Sequence, residues 1–133
     1  MQQMEVHMKI SALEQLNDVT DRLQQQLSQM QITKEKQMDL RLCLMEAVQN
    51  SLLYGIPEDG KPGEVEISWC CDRQGFVFSV EDNGPGIPEE MRSRSWDVLS
   101  LEEHGRGILL MQTILDELTF NEKGNRLTGR MVW

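Results

Sequence analysis

LRLCLMEAVQNSLLY, residues 40–54, sets one carboxylate and one amide inside an apolar segment. Its spacing predicts a helix, running from a Thr33 cap to Tyr54 and stopped by Gly55 and Pro57. Glu46 and Asn50 are four residues apart and share a face. Polar groups among Leu42, Cys43, Met45, Ala47, Val48 and Leu53 are costly without partners. Asn50 offers an oxygen to a hard cation such as Mg²⁺, and Glu46 is suited to orienting or deprotonating a nucleophile. Taken alone, a solvated helix edge beside Gln37, Arg41 and Gln49 is the simpler reading of the pair.

Working outward, residues 4–10 alternate in part and read as a short edge strand. Ser11 with Glu14 reads as a capping box, opening a helix of about five turns that carries Leu13, Leu16, Leu23, Leu27 and Met30. After a Pro- and Gly-bearing loop at 56–63, Val65, Ile67, Trp69 and Cys71 alternate with polar neighbours, as in a strand with one covered face. A turn at 72–75 leads to a second strand, 76–82, with Phe76, Phe78 and Val80 on its covered face. Parity puts Asp82 on that same face, where its carboxylate needs a donor. A purine exocyclic amine is one such donor. Gly84 and Gly86, just beyond, allow sharp turning and close approach to a planar ligand; a plain Asx-capped turn is the simpler reading of 82–86.

Gly105-Arg106-Gly107 precedes an apolar helix bearing Ile108, Met111, Leu115 and Leu118 on one side. Backbone N–H groups at a helix start hold phosphate, and Arg106 adds a fork of donors. As a lone GxG it also fits an ordinary helix-starting loop. Two last strands, near 118–121 and 126–133, flank a turn at 122–125. The whole reads as one α+β domain over 1–133, a two-layer sandwich of a mixed, mostly antiparallel sheet with helices on one face.

The order E-x-x-x-N on a helix, D-x-G-x-G after a strand and G-R-G before a helix resembles the ATP-binding constellation of the GHKL superfamily. That superfamily includes gyrase-type ATPases and sensor histidine kinases. CLMEAVQNSLLYG, EDNGPGIP and GRGILLMQTILDEL, with only residues 87–104 between the glycine boxes, resemble the anti-sigma-factor serine/threonine-protein kinases. The resemblance implies a Bergerat-type fold using ATP and Mg²⁺, with Glu46 as catalytic carboxylate and Asn50 as Mg²⁺ ligand. It also implies Asp82, with Gly84 and Gly86, at the adenine, and Gly105 and Gly107 beside the phosphates. Arg106 is a further expected phosphate contact. The segment 87–104 becomes a nucleotide lid that orders with ATP. The implied partner is a STAS-type antagonist, with a sigma factor downstream and a homodimer through the first strand and helix. Two positions depart from the pattern: Tyr54, where relatives often carry His, and Ser51, where they often carry Ala. A non-catalytic nucleotide-dependent binding switch and the ATPase half of a histidine-kinase-like regulator are the alternatives.

Charge and cysteines narrow the setting. Thirteen basic against 22 acidic residues give a net charge of −9, which argues against nucleic acid and anionic membranes. Apolar runs stop at four residues, as at 42–45 and 108–111, where a membrane span needs about 20. Three cysteines, two of them adjacent, make a poor disulfide framework and point to a reducing cytoplasm. His7 and His104 read as surface or packing residues.

Overall fold

The computed structural model describes residues 4–87 and 103–133, together with the side chains of 4–87 and 107–133. The expected lid, 87–104, lies outside this description except for Ile87 and the backbone of 103 and 104, and the Arg106 side chain also lies outside it.

Alternation of apolar and polar residues builds the sheet. Strands β1 (Met4–Ile10), β2 (Val65–Cys71), β3 (Gly75–Asp82), β4 (Glu117–Phe120) and β5 (Arg126–Val132) lie in the order β1-β2-β3-β5-β4. All four pairings are antiparallel, so the mixed character expected of the sheet gives way to a wholly antiparallel one among the described residues. The covered face carries Val65, Ile67, Trp69, Cys71, Phe76, Phe78 and Val80, each at most 3 % exposed.

Three helices, α1 (Leu16–Leu27), α2 (Lys34–Tyr54) and α3 (Glu103–Ile114), make the second layer. Leu16, Val19, Leu23 and Leu27 of α1, Leu40, Cys43, Leu44, Ala47 and Val48 of α2, and Ile108 and Met111 of α3 fill the space above the sheet. Helix and sheet are also tied by polar bonds, as where Trp69 Nε1 donates to Gln26 Oε1 on α1 at 2.7 Å.

Helix starts hold the main departures from expectation. Thr33 caps α2 as expected, its hydroxyl accepting from Lys36 N at 3.2 Å. The Ser11/Glu14 capping box does not form. Gln15 Oε1 instead accepts from Ser11 N at 2.8 Å and Ala12 N at 3.1 Å, and a 3-10 turn (Leu13–Gln15) leads into α1. Leu13 faces outward, 51 % exposed, and Met30 is buried beyond the end of α1. Helix α3 begins at Glu103 and so includes the glycines read as its approach. Leu118 belongs to β4, opposite Gly129, rather than to that helix.

Gly129 of β5 leaves room for the Phe78 ring, since a Cβ there would stand 2.6 Å from its edge carbons. Phe78 also packs on Phe76 at 6.2 Å between ring centroids. Phe78→Ala should lower unfolding stability by about 3–5 kcal/mol, read as a drop in the urea midpoint. A cost under about 1 kcal/mol would mean that this ring is not central to the core. Burial pushes the Cys43 and Cys71 thiols up to about 12, which leaves them protonated and unreactive at neutral pH.

Candidate functional site: a cleft between two helices and the sheet end

The second half of α2, the end of β3, the start of α3 and the β4–β5 turn enclose a cleft. Ala47, Val80, Ile108, Phe120 and Leu127 give it apolar walls, and Asn50, Ser51, Asp82 and Asn125 give it polar groups. The space measures about 730 Å³ including its open mouth.

Asp82 stands in this cleft at the end of β3, half-buried, as strand parity requires. Its Oδ1 accepts from Gly84 N at 3.0 Å. Burial raises the Asp82 carboxyl above its ordinary value of 3.8, while the Gly84 N–H, the Ser51 hydroxyl and the charge of Lys123 act to lower it and Glu81 to raise it. Its backbone is pinned as well. Asp82 N donates to Asn125 O at 2.9 Å, and Asn125 Nδ2 donates to Asp82 O at 2.7 Å. Gly86, with φ +90°, takes a left-handed conformation that side chains disfavour. It lies against the Lys123 carbonyl, where a Cβ would overlap, and Ile87 N donates to Gly124 O at 2.9 Å.

Glu46 and Asn50 meet α3 on the other side. Both are half-buried on α2. A Cβ placed on Gly107 would stand 2.9 Å from Glu46 Oε2 and 2.9 Å from Asn50 Nδ2. The backbone of α3 therefore passes close over the carboxylate and the amide. The solvated-edge alternative for this pair does not hold, because α3 covers it. Gly105 lies two residues earlier in the first turns of α3. Among the described residues no group of three or more His, Cys, Asp or Glu side chains could hold a metal by itself. Mg²⁺ needs no such cage, since it takes one or two protein oxygens and completes its shell with water and substrate phosphates. The side-chain oxygen of Asn50 fits that mode.

Gly107→Ala is expected to separate fold from site. The added methyl meets only side-chain ends, which can move, and Ala favours the helix over Gly by about 1 kcal/mol. Thermal stability should hold or rise slightly while nucleotide-dependent activity falls, because Glu46 and Asn50 are pushed apart. Unaltered activity in a folded Ala variant would show that the close approach of α3 has no functional weight.

Three contributors went unread in the sequence. Gly55 looked like a helix terminator only; a Cβ there would overlap Asp82 Cγ and Oδ2. Ser51 looked like a mild substitution, and Asn125 like part of a turn. Tyr54, 49 % exposed, stands at the cleft rim.

Apolar walls for a flat ring, an inward carboxylate to accept from it and a carboxylate/amide pair at the far end fit an adenine nucleotide with its metal. Comparison with known proteins decides the family. A family model described as histidine kinase-like ATPase domain matches residues 10–133. The chain belongs to that family. As a histidine kinase-like ATPase domain it is an ATP-binding protein of α+β architecture. It resembles the anti-sigma F factor of Clostridium kluyveri, with 31 % identity over 113 residues, covering 80 % of this chain and 78 % of the relative. The anti-sigma F factor of Clostridium perfringens strain SM101 is 32 % identical over 106 residues, covering 77 % and 74 %. That of Clostridium botulinum strain Eklund 17B is 34 % identical over 108 residues, covering 76 % and 74 %. No helix of this ATPase domain is long and apolar enough to cross a membrane, among the described residues.

Proposed function

We propose that this chain is an ATP-dependent serine/threonine-protein kinase of a partner-switching pathway. It would phosphorylate a small antagonist domain of the STAS type and thereby govern a sigma factor in the cytoplasm. The observation that carries the reading is the Glu46/Asn50 pair set one helical turn apart beneath Gly107. Support also comes from relatives named as anti-sigma factors over about four-fifths of the chain.

In this reading Asp82 accepts from the 6-amino group of adenine, and Val80, Ile108 and Leu127 cover the ring faces. Asn50 would hold Mg²⁺ through its side-chain oxygen, with Gly105, Gly107 and Arg106 beside the phosphates. When bound, Mg²⁺·ATP supplies the phosphoryl group and neutralises charge on its oxygens. Glu46 accepts at its carboxylate the proton that the partner's serine hydroxyl gives up as its oxygen bonds to the γ-phosphorus, while the bond from that phosphorus to the ADP oxygen breaks.

A homodimer through β1 goes with this proposal. Among the described residues β1 is a sheet edge, paired with β2 alone, and its other side offers backbone groups for a second chain. Light scattering at micromolar concentration should give twice 15.4 kDa; the monomer mass alone would remove the dimer.

The deciding experiment incubates the chain with ATP, Mg²⁺ and a candidate antagonist domain and reads intact mass. One added phosphoryl group on a partner serine is the expected result. Tight nucleotide-dependent binding of the partner without transfer would replace the kinase by a binding switch.

A further inference from the structure

Helix α2 is apolar on two opposite sides. Cys43, Leu44, Ala47 and Val48 look toward the sheet and are buried. The outward ridge carries Met38, Leu42, Met45, Gln49 and Leu53, set four, three, four and four residues apart. Met38 is 66 % exposed, Leu42 40 % and Leu53 57 %, and Met45 is half-buried. Helix α1 gives the contrast, since its outward residues are Asn17, Asp18, Asp21, Arg22 and Gln25, all exposed. A single exposed Leu is ordinary, but a contiguous apolar ridge marks a contact surface. No ridge residue lines the nucleotide cleft.

The spacing and the flanks of the ridge say what covers it. Steps of three and four are the seam of paired helices. Arg41 Nη1 donates to Gln24 Oε1 on α1 at 3.2 Å, which marks one flank, and Glu46 beneath Gly107 of α3 marks the other. Lys34 lies seven residues before Arg41, and Asp39 seven before Glu46, so each shares that residue's flank. One flank of the ridge is therefore basic and the other acidic. Five residues separate Lys34 from Asp39, the offset at which opposite flanks of two parallel helices meet. Among the described residues no ion pair engages either one. An antiparallel pair would instead set the basic flank against its own copy, which like charge opposes. Gln49, the polar member of the ridge, is the kind of residue that fixes register in such pairs.

We propose that the outward ridge of α2 docks a second copy of this chain, the two α2 helices lying in parallel with Lys34 of each copy against Asp39 of the other. The contact is separate from the β1 edge, because the ridge points away from the sheet. It needs neither nucleotide nor the kinase reading. The ridge spans roughly four turns, which makes the pairing weak, so covalent trapping reads it better than mass.

Cysteine trapping on the full chain, with a mild oxidant and non-reducing electrophoresis, tests the pairing. Leu42→Cys and Leu53→Cys should each link to their own copies, since seam residues of a parallel pair face themselves. Wild type, whose Cys43 and Cys71 are buried and Cys70 half-buried, should stay unlinked, as should Arg22→Cys on the outer side of α1. In Leu42→Cys, adding Lys34→Glu or Asp39→Lys should slow linking by about five-fold, because two symmetric pairs each turn to repulsion. Adding both rebuilds the pair with its charges exchanged and should return the rate. Linking at only one of the two ridge positions would mean an antiparallel crossing and would overturn the proposal. So would linking of Arg22→Cys as fast as of Leu42→Cys, an exchanged pair that does not restore the rate, or no linking at either ridge position.

Discussion

Glu46→Gln should leave ATP affinity and partner binding near wild type and cut serine phosphorylation by about 10²–10⁴-fold, the usual worth of general-base help. Gln has the length and nearly the volume of Glu. The space under Gly107, where Glu46 Oε2 lies 2.9 Å from the position of an absent Cβ, is therefore filled as before. Only the ability to take a proton is lost. Asn50, one turn on, keeps its oxygen for the metal. Single-turnover transfer to the antagonist domain, measured beside calorimetric ATP binding, separates the two quantities. Transfer at the wild-type rate would show that Glu46 is not the base, and a parallel loss of ATP binding would assign it to binding.

Asp82→Asn is expected to move affinity and stability in opposite directions. For ATP the change replaces a charged acceptor by an amide whose NH₂ opposes the adenine amine, and hydrogen bonds to charged groups are worth about 1.5–3 kcal/mol. Affinity should fall by about 10–100-fold. Stability follows from the raised carboxyl. Burial lifts the folded-state value above 3.8, so the folded protein binds this proton more tightly than the unfolded chain. The resulting stabilisation is present below 3.8 and is lost as pH rises through the folded value, so the ionised carboxylate costs the fold at neutral pH. Asp82→Asn should thus melt at or above the wild-type temperature at pH 7, with the difference fading as the pH is lowered through the window above 3.8. An Asn variant that binds ATP as wild type does would remove Asp82 from the adenine site. One that melts well below wild type at pH 7 would show that its loss of affinity is a loss of folding.

Much of this architecture is legible in the residues because burial leaves a period. Alternation marks β2, Phe76, Phe78 and Val80 keep the two-residue period in β3, and strand parity alone turns Asp82 inward. The Thr33 cap sets the start of α2. Local signals fail where distant contacts take over. Even a near neighbour can redirect one: Ser11 and Glu14 offer a capping box, yet Gln15 takes the Ser11 N–H that Glu14 would accept from, together with that of Ala12. Gly105 and Gly107 look like a loop because glycine weakens helices by about 1 kcal/mol each. Packing on α2 outweighs that penalty, and at Gly107 the missing side chain lets α3 come close to Glu46 and Asn50. Within the site, Glu46, Asn50 and Asp82 stand out as polar groups in apolar surroundings. Gly55, Ser51 and Asn125 do not, since each matters through a partner far along the chain. Asn125 meets Asp82 across 43 positions of sequence, and no spacing rule reports such a meeting.

The strand order has a consequence for how the protein is made. β5, translated last of the five strands, lies inside the sheet between β3 and β4. Until Arg126–Val132 has left the ribosome, β3 has no neighbour on one side and β4 has none at all. The nascent chain then carries Phe76 and Phe78 on an open edge, a row of unpaired backbone groups that invites association. The cleft also lacks Leu127 and the pin between Asn125 and Asp82, so nucleotide has no finished site to stabilise during synthesis. Ribosome-bound chains of increasing length should stay protease-sensitive until β5 emerges and become resistant in one step. Gradual protection beginning before that point would mean that the helices and β1 to β3 form a stable unit without it.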